Sequence, residues 1–192
     1  MADARSHRRK TFDALFSRDR DPWDFETSDY EREKRAATIA ALKGARFDHS
    51  LEVGCATGVL TRELAPHCAQ LLALDVSDEA LDLARKRSTE QASGRYRRAE
   101  VPQDWPDGSF DLIVFSEILY FLSAHEVAAV SRQACAALAP GGLCLLVNWT
   151  GPNDLPLSGD AAVHLFVEAA SWRSDEPRLA PSYRIDRLQR ST

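Results

Sequence analysis

The sequence predicts an α/β fold, a mostly parallel central sheet flanked by helices with an antiparallel strand at its C-terminal edge. Three observations carry that expectation. Short apolar runs alternate with segments of helical period from about residue 49 to residue 148, the pattern of strands returned by crossover helices. Leu51-Glu52-Val53-Gly54-Cys55-Ala56-Thr57-Gly58 joins an apolar run to a helical stretch through small residues. Asp75 closes the next apolar run about twenty residues further on, where doubly wound folds set a carboxylate beside a ribose.

The elements follow in order. Ser28-Asp29-Tyr30-Glu31 has the spacing of a capping box, so a helix starts there and runs to about Lys43, with Tyr30, Lys34, Ala37 and Ala41 on one face. Strands are expected near 49–53, 70–75, 95–99, 110–116 and 142–148, and helices over 58–65, 77–91 and 123–138. Ser123-Ala124-His125-Glu126 repeats the capping-box spacing, and Val127, Val130, Ala134 and Leu138 form the stripe that packs on the sheet. Trp149 to Asp160, rich in Gly, Pro, Asn and Ser, reads as a surface loop before a helix from about Ala161 to Ala170. Ser182 to Gln189 alternates weakly and reads as the last strand.

At 192 residues the chain fits one domain, divided into an N-terminal lid and helix over 1–43, a ligand-binding core over 44–150 and a loop with final strands over 151–192. A hydrophobic share of 44% with 28% charged residues is that of a folded globular protein. A net charge of −5 speaks against nonspecific nucleic-acid binding, which needs a concentrated positive field. Arg5 to Lys10 is locally basic and reads as a solvated, frayed segment. Cys55, Cys68, Cys135 and Cys144 have neither paired spacing nor companion histidines, so no metal site is expected and reduced thiols in the cytoplasm fit better. No apolar run has the length to span a bilayer, and the N-terminus lacks the apolar core of a secretory signal.

In an open α/β sheet the ligand lies beyond the carboxyl ends of the strands, and the candidate residues fall at those ends. Glycines at 54 and 58 let the backbone approach a ligand closely, although such turns also occur with no ligand. Asp75 shifts the balance toward a bound adenosine, because a carboxylate can accept from both hydroxyls of a ribose. The G-x-G-x-x-G of dinucleotide sites is missing, which weakens the rival reading of an NAD-dependent dehydrogenase.

Glu52-x-Gly54-x-Ala56-x-Gly58 resembles the E-x-G-x-G-x-G signature of class I S-adenosylmethionine-dependent methyltransferases, with alanine at the middle glycine. Further stretches match in order: Arg97 to Val101, Trp105 to Val114, and Leu138-Ala139-Pro140-Gly141-Gly142-Leu143. Asp21-Pro22-Trp23, Tyr30-Glu31-Arg32, Leu64-Ala65-Pro66-His67-Cys68 and Ser116-Glu117-Ile118-Leu119-Tyr120 resemble the nodulation protein S family more closely, over roughly 20–150. That likeness implies the Rossmann-like fold of class I methyltransferases, S-adenosyl-L-methionine as cofactor with S-adenosyl-L-homocysteine as product, and a small-molecule acceptor bearing an amine, such as an amino sugar. It also implies site roles. Glu52, Gly54, Cys55, Ala56 and Gly58 would form the loop at the methionine half, Asp75 and Val76 would take the ribose, Glu100 and Val101 the adenine, and Trp23, Tyr30 and Ser116 would complete the cofactor site, although Glu100 also suits a solvated strand-end charge and Trp23 an apolar anchor for the lid. Glu117 and Tyr120 would stand at the reacting centre, Glu117 receiving the ammonium or its proton and Tyr120 walling it, though the same residues also suit a tethered loop carboxylate and a core aromatic. The acceptor pocket would be shared by 20–34, 116–123 and 149–165; His164 could reach it, though a lone helix histidine is more often merely exposed, and His125, inside the helix start, reads as surface. An oxygen acceptor and a scaffold that binds cofactor without turnover remain alternatives.

Overall fold

The computed structural model describes residues 2–88 and 94–191, the side chains of 2–6 and 94 excepted. Among the described residues, eight strands form one sheet in the order β3-β2-β1-β4-β5-β8-β6, with β7 also pairing β8. β1 (Phe47–Val53), β2 (Cys68–Asp75), β3 (Gly94–Arg98), β4 (Phe110–Ser116) and β5 (Leu138–Trp149) run parallel. β8 (Tyr183–Arg190) returns antiparallel to β5, and two short antiparallel segments, β6 (Trp172–Ser174) and β7 (Arg178–Leu179), line its other side.

β1 sits in the middle and is buried on both faces, Leu51 and Val53 on one and Ser50 and Glu52 on the other, while β4 beside it contributes Ile113 and Phe115 to one layer of the core and Leu112 and Val114 to the opposite layer. A strand covered on both sides reads as a continuous apolar run, as Leu112 to Phe115 does. The helices that cover it are α2 (Asp29–Ala40), α3 (Val59–Leu64), α4 (Asp78–Arg87), α5 (Ala124–Ala137) and α6 (Gly159–Glu168). α5 begins with a complete capping box, Ser123 accepting from the Glu126 N–H and Glu126 accepting from the Ser123 N–H at 2.9 Å. α2 has only half of one. Ser28 accepts from the Glu31 N–H, but the Glu31 carboxylate turns away to Lys34. α2 also stops short of Lys43, since the chain turns there through positive φ at Lys43 and Gly44.

α4 ends at Arg87, and the part of the expected helix past residue 88 lies outside the described residues. β5 begins at Leu138, before the expected 142, because Leu138 already pairs with Phe110 ahead of the Pro140-Gly141-Gly142 turn. The larger correction is N-terminal. Residues 5–10 are not frayed but belong to a helix, α1 (Ala2–Arg18), which docks on α4 and over the carboxyl ends of the strands. Asp13 of α1 accepts from the Ser77 hydroxyl at 2.7 Å and from the Asp78 N–H at 3.0 Å, so it supplements the start of α4. Arg8, Phe12 and Phe16, four residues apart, give α1 one inward face, which the charge of the segment conceals.

No helix among the described residues is long and apolar enough to cross a membrane.

Candidate functional site

A cavity opens at the carboxyl ends of β1, β2, β3 and β4, beneath α1 and the segment that leads into α2. It holds about 190 Å³ measured as space open to the centre of a water molecule. At roughly 10–15 Å³ per water by that measure, a molecule much larger than trapped solvent fits. The strand order arranges its wall. Glu100 follows β3, Asp75 ends β2, Gly54 follows β1 and Glu117 follows β4, so these residues succeed one another across the sheet at strand spacing.

The loop after β1 is folded around backbone that only small residues permit. Gly54 has φ +90, and a Cβ there would stand 2.1 Å from Ile118 Cγ2 and 2.6 Å from the Ser116 carbonyl oxygen. Its own N–H and that of Cys55 donate to the Leu74 carbonyl, which ties the loop to the end of β2. Ala56, at φ +45, donates its N–H to Asp75 Oδ2 at 2.9 Å, and the Ser77 N–H donates to Oδ1 at 2.9 Å. Asp75 is thereby aimed at the cavity. Burial raises its carboxyl above the ordinary range, and the Ser77, Ala56 and Val76 N–H groups oppose that rise. Thr57 adds a fully buried hydroxyl on the cavity wall that has no partner among the described residues.

Gly54, Cys55, Ala56, Asp75, Val76, Glu100, Val101, Ser116, Glu117, Tyr120 and Trp23 all line this cavity. Three residues expected there do not. Glu52 is buried under the loop, where its Oε2 accepts from the Thr61 hydroxyl at 2.6 Å; burial pushes its carboxyl up to about 7. Gly58 leaves space for a neighbouring helix, since a Cβ there would stand 3.0 Å from Ala84 Cβ of α4. Tyr30 faces β8, donating its hydroxyl to the Ser182 carbonyl at 3.2 Å and packing edge-on against Tyr183.

Residues 149–165 contribute nothing to this cavity, because α6 is drawn back onto the core by Phe166 against Phe115 and Trp172. His164 stands exposed on that helix, 3.2 Å from Glu168, and His125 is exposed at the start of α5.

α1 supplies wall residues that sequence reasoning missed. Arg8 donates to Glu100 Oε1 at 2.9 Å and to Glu126 Oε2 at 3.1 Å, bridging the strand end and the first turn of α5. Phe12 and Phe16 close the roof with Trp23, whose ring lies 6.5 and 5.7 Å from theirs.

At the β4 end the backbone of Glu117 is held at φ +59, with its N–H on the Val147 carbonyl. Its Oε2 accepts from the Tyr120 hydroxyl and from the Trp149 N–H, the latter at 3.0 Å. Its Oε1 stands 3.0 Å from Lys34 Nζ, and that ammonium is also 2.8 Å from Glu31 Oε1. Burial and the Glu117 charge push the Tyr120 hydroxyl far up, so it remains a neutral donor. Lys34 was legible as one face of α2; its partner lies far along the chain and left no local signal.

The β3-β2-β1-β4-β5 parallel core, antiparallel β8 and cavity at the strand ends define the class I methyltransferase fold. Among solved structures, an N-methyltransferase NodS from Bradyrhizobium japonicum WM9 in complex with S-adenosyl-L-homocysteine superposes with a TM-score of 0.78 at 24% identity, covering 90% of this chain and 93% of that one. A candidate methyltransferase from Pseudomonas syringae superposes with a TM-score of 0.73 at 37% identity, covering 84% of this chain and 99% of that one. The family model of Nodulation protein S (NodS) matches residues 9–152, and the chain belongs to that family. Nodulation protein S of Rhizobium tropici is 37% identical over 124 residues, which are 64% of this chain and 52% of that protein. The chain thus spans about half the length of the curated relatives it matches.

Proposed function

We propose that the chain is an S-adenosylmethionine-dependent methyltransferase whose acceptor is an amine nitrogen on a small polar molecule such as an amino sugar. The observation that carries this reading is the division of one cavity into two chemistries. Asp75, Thr57 and the close-approach backbone of Gly54 to Ala56 lie on one side, and a carboxylate and tyrosine pair at Glu117 and Tyr120 on the other. The cofactor suits the first side: backbone at Gly54 and Ala56 turns through positive φ on the cavity wall, and Asp75 presents a carboxylate to a diol. Glu100 and Val101 would meet the adenine edge, with Arg8 fixing the Glu100 carboxylate from above.

Bound there, the cofactor supplies an electrophilic methyl group on a sulfonium. The protein supplies alignment and exclusion of water, which Phe12, Phe16, Trp23 and Phe121 provide as an apolar roof. An amine must arrive with a free lone pair, so a carboxylate at the β4 end serves by taking its proton. Tyr120 holds Glu117 in place and walls the reacting centre. The relatives named NodS support an N-acceptor, and four free cysteines suit a reducing cytoplasm.

Incubation with methyl-labelled S-adenosylmethionine and a panel of amino sugars, their N-acetylated forms and hydroxylated aromatics tests the reading. Label is expected on the free amines alone. Label on the aromatic hydroxyls would move the acceptor to oxygen, and no label with any acceptor despite cofactor binding would leave a scaffold.

A further inference from the structure

The β4 end of the cavity carries two carboxylates and one ammonium. Lys34, 6% exposed, has its Nζ 2.8 Å from Glu31 and 3.0 Å from Glu117, over the face of Tyr30 at 4.9 Å. Glu117 Oε2 accepts from Tyr120 and Trp149, while its Oε1 lies 3.0 Å from the Lys34 ammonium as an ion pair and accepts no hydrogen bond among the described residues. Among the described residues Glu31 is engaged at one oxygen, by Lys34, and it lines the cavity from α2. The neighbouring Arg35 is spent elsewhere, on Glu63 at 2.8 Å and on the Phe25 carbonyl. Tyr30 and Tyr120, the other titratable groups here, are pushed up and stay neutral. The group therefore holds one negative charge without a counter-ion, in a place with little water to screen it. Burial, with Glu117 adding to it, raises the Glu31 carboxyl against the pull of Lys34 and Arg35, the direction expected of a site short of positive charge.

We propose that Glu31 is the specificity-determining residue that receives the positive charge of the acceptor. Lys34 balances the charge of Glu117 at 3.0 Å, and the Glu31 oxygen that Lys34 does not reach is left to pair with a protonated amine. This rests on the methyltransferase reading above and names a residue and a charge that the reading leaves open: a cationic acceptor is selected, and an N-acylated or hydroxyl acceptor, having no charge, gains nothing from Glu31.

The test needs no knowledge of the acceptor. Sinefungin differs from S-adenosylhomocysteine in carrying an amine-bearing carbon in place of the sulfur, so it brings an ammonium to the transfer position while the rest of the molecule is unchanged. Calorimetric titration of the full chain with both ligands is expected to give tighter binding of sinefungin. In Glu31→Gln the preference should fall about tenfold, equivalent to about 1.4 kcal/mol, with S-adenosylhomocysteine affinity within about twofold of the parent. Lys34→Met leaves the charge deficit larger and should raise the preference, by about threefold or more at pH 8. A merely structural role for Glu31 would weaken both ligands alike. Should Glu31→Gln fail to fold, the rise in Lys34→Met decides. An unchanged preference in the variants that still bind S-adenosylhomocysteine would overturn the inference alone, whereas no binding of S-adenosylhomocysteine by the parent chain would overturn the methyltransferase reading and the inference with it.

Discussion

At the scale of single residues, Gly54 and Glu52 do different work under the same loop. Gly54 is constrained twice, by φ +90 and by Ile118 and the Ser116 carbonyl where a Cβ would go. Gly54→Val should therefore cost roughly 2–4 kcal/mol in urea unfolding and remove cofactor binding, through backbone strain and overpacking together. Loss of binding with stability unchanged would mean that Ile118 gives way. Glu52 makes a pH prediction. Its carboxyl is raised from 4.5 to about 7 by burial, with one oxygen on Thr61 and the other unpartnered among the described residues. Between those values the folded chain keeps a proton that the unfolded chain releases. The contribution to stability is complete below about 4.5 and is lost as pH rises through about 7. Glu52→Gln carries no such loss, so relative to the parent it should gain on the order of 3 kcal/mol in unfolding free energy between pH 4.5 and pH 8. Parallel stability curves over that range would show that Glu52 is not titrating.

At the scale of elements, α1 is the part whose role the composition hid. Two of its basic residues are paired with the rest of the fold: Arg8 spans Glu100 and Glu126, and Arg9 pairs with Asp78 of α4. Arg8→Ala should loosen α1 while the sheet stays intact. Amide exchange over residues 7–18 is expected to rise by about tenfold or more, since charge-assisted hydrogen bonds of this kind contribute about 1.5–3 kcal/mol. Exchange as slow as in the parent chain would mean that Phe12 and Phe16 hold the helix without it. The parallel strands and their helices were legible because each pairs a local period with a local cap, as Val127, Val130 and Ala134 do behind Ser123 and Glu126. The strand-end residues Asp75, Glu100 and Glu117 were legible for the same reason, since a strand end fixes where its next side chain lands. Tyr30 was misplaced because its partners, Ser182 and Tyr183, come from β8 at the other end of the chain. The pairing of Lys34 with Glu117 and the role of Arg8 escaped notice because ion pairs across such separations leave no spacing to read, although Arg8, Phe12 and Phe16 at intervals of four were there to be found.

At the scale of the whole molecule, the sheet order converts a linear sequence into a line of site residues. β1 lies at the centre between β2 and β4, so the loop at Gly54 falls between Asp75 on one side and Glu117 on the other. The fold thereby brings the Asp75 and Glu117 carboxylates into one cavity, with β1 as divider and α1 as roof. The measurement that tests this most directly is calorimetric titration of the parent chain and Asp75→Ala with S-adenosylhomocysteine and, separately, with NAD. The parent should bind S-adenosylhomocysteine one to one and NAD not at all. Asp75→Ala should lose about 1–3 kcal/mol of that affinity, through the ribose contact and the released Ala56 and Ser77 N–H groups. A well-folded parent chain that binds NAD and ignores S-adenosylhomocysteine would contradict the account.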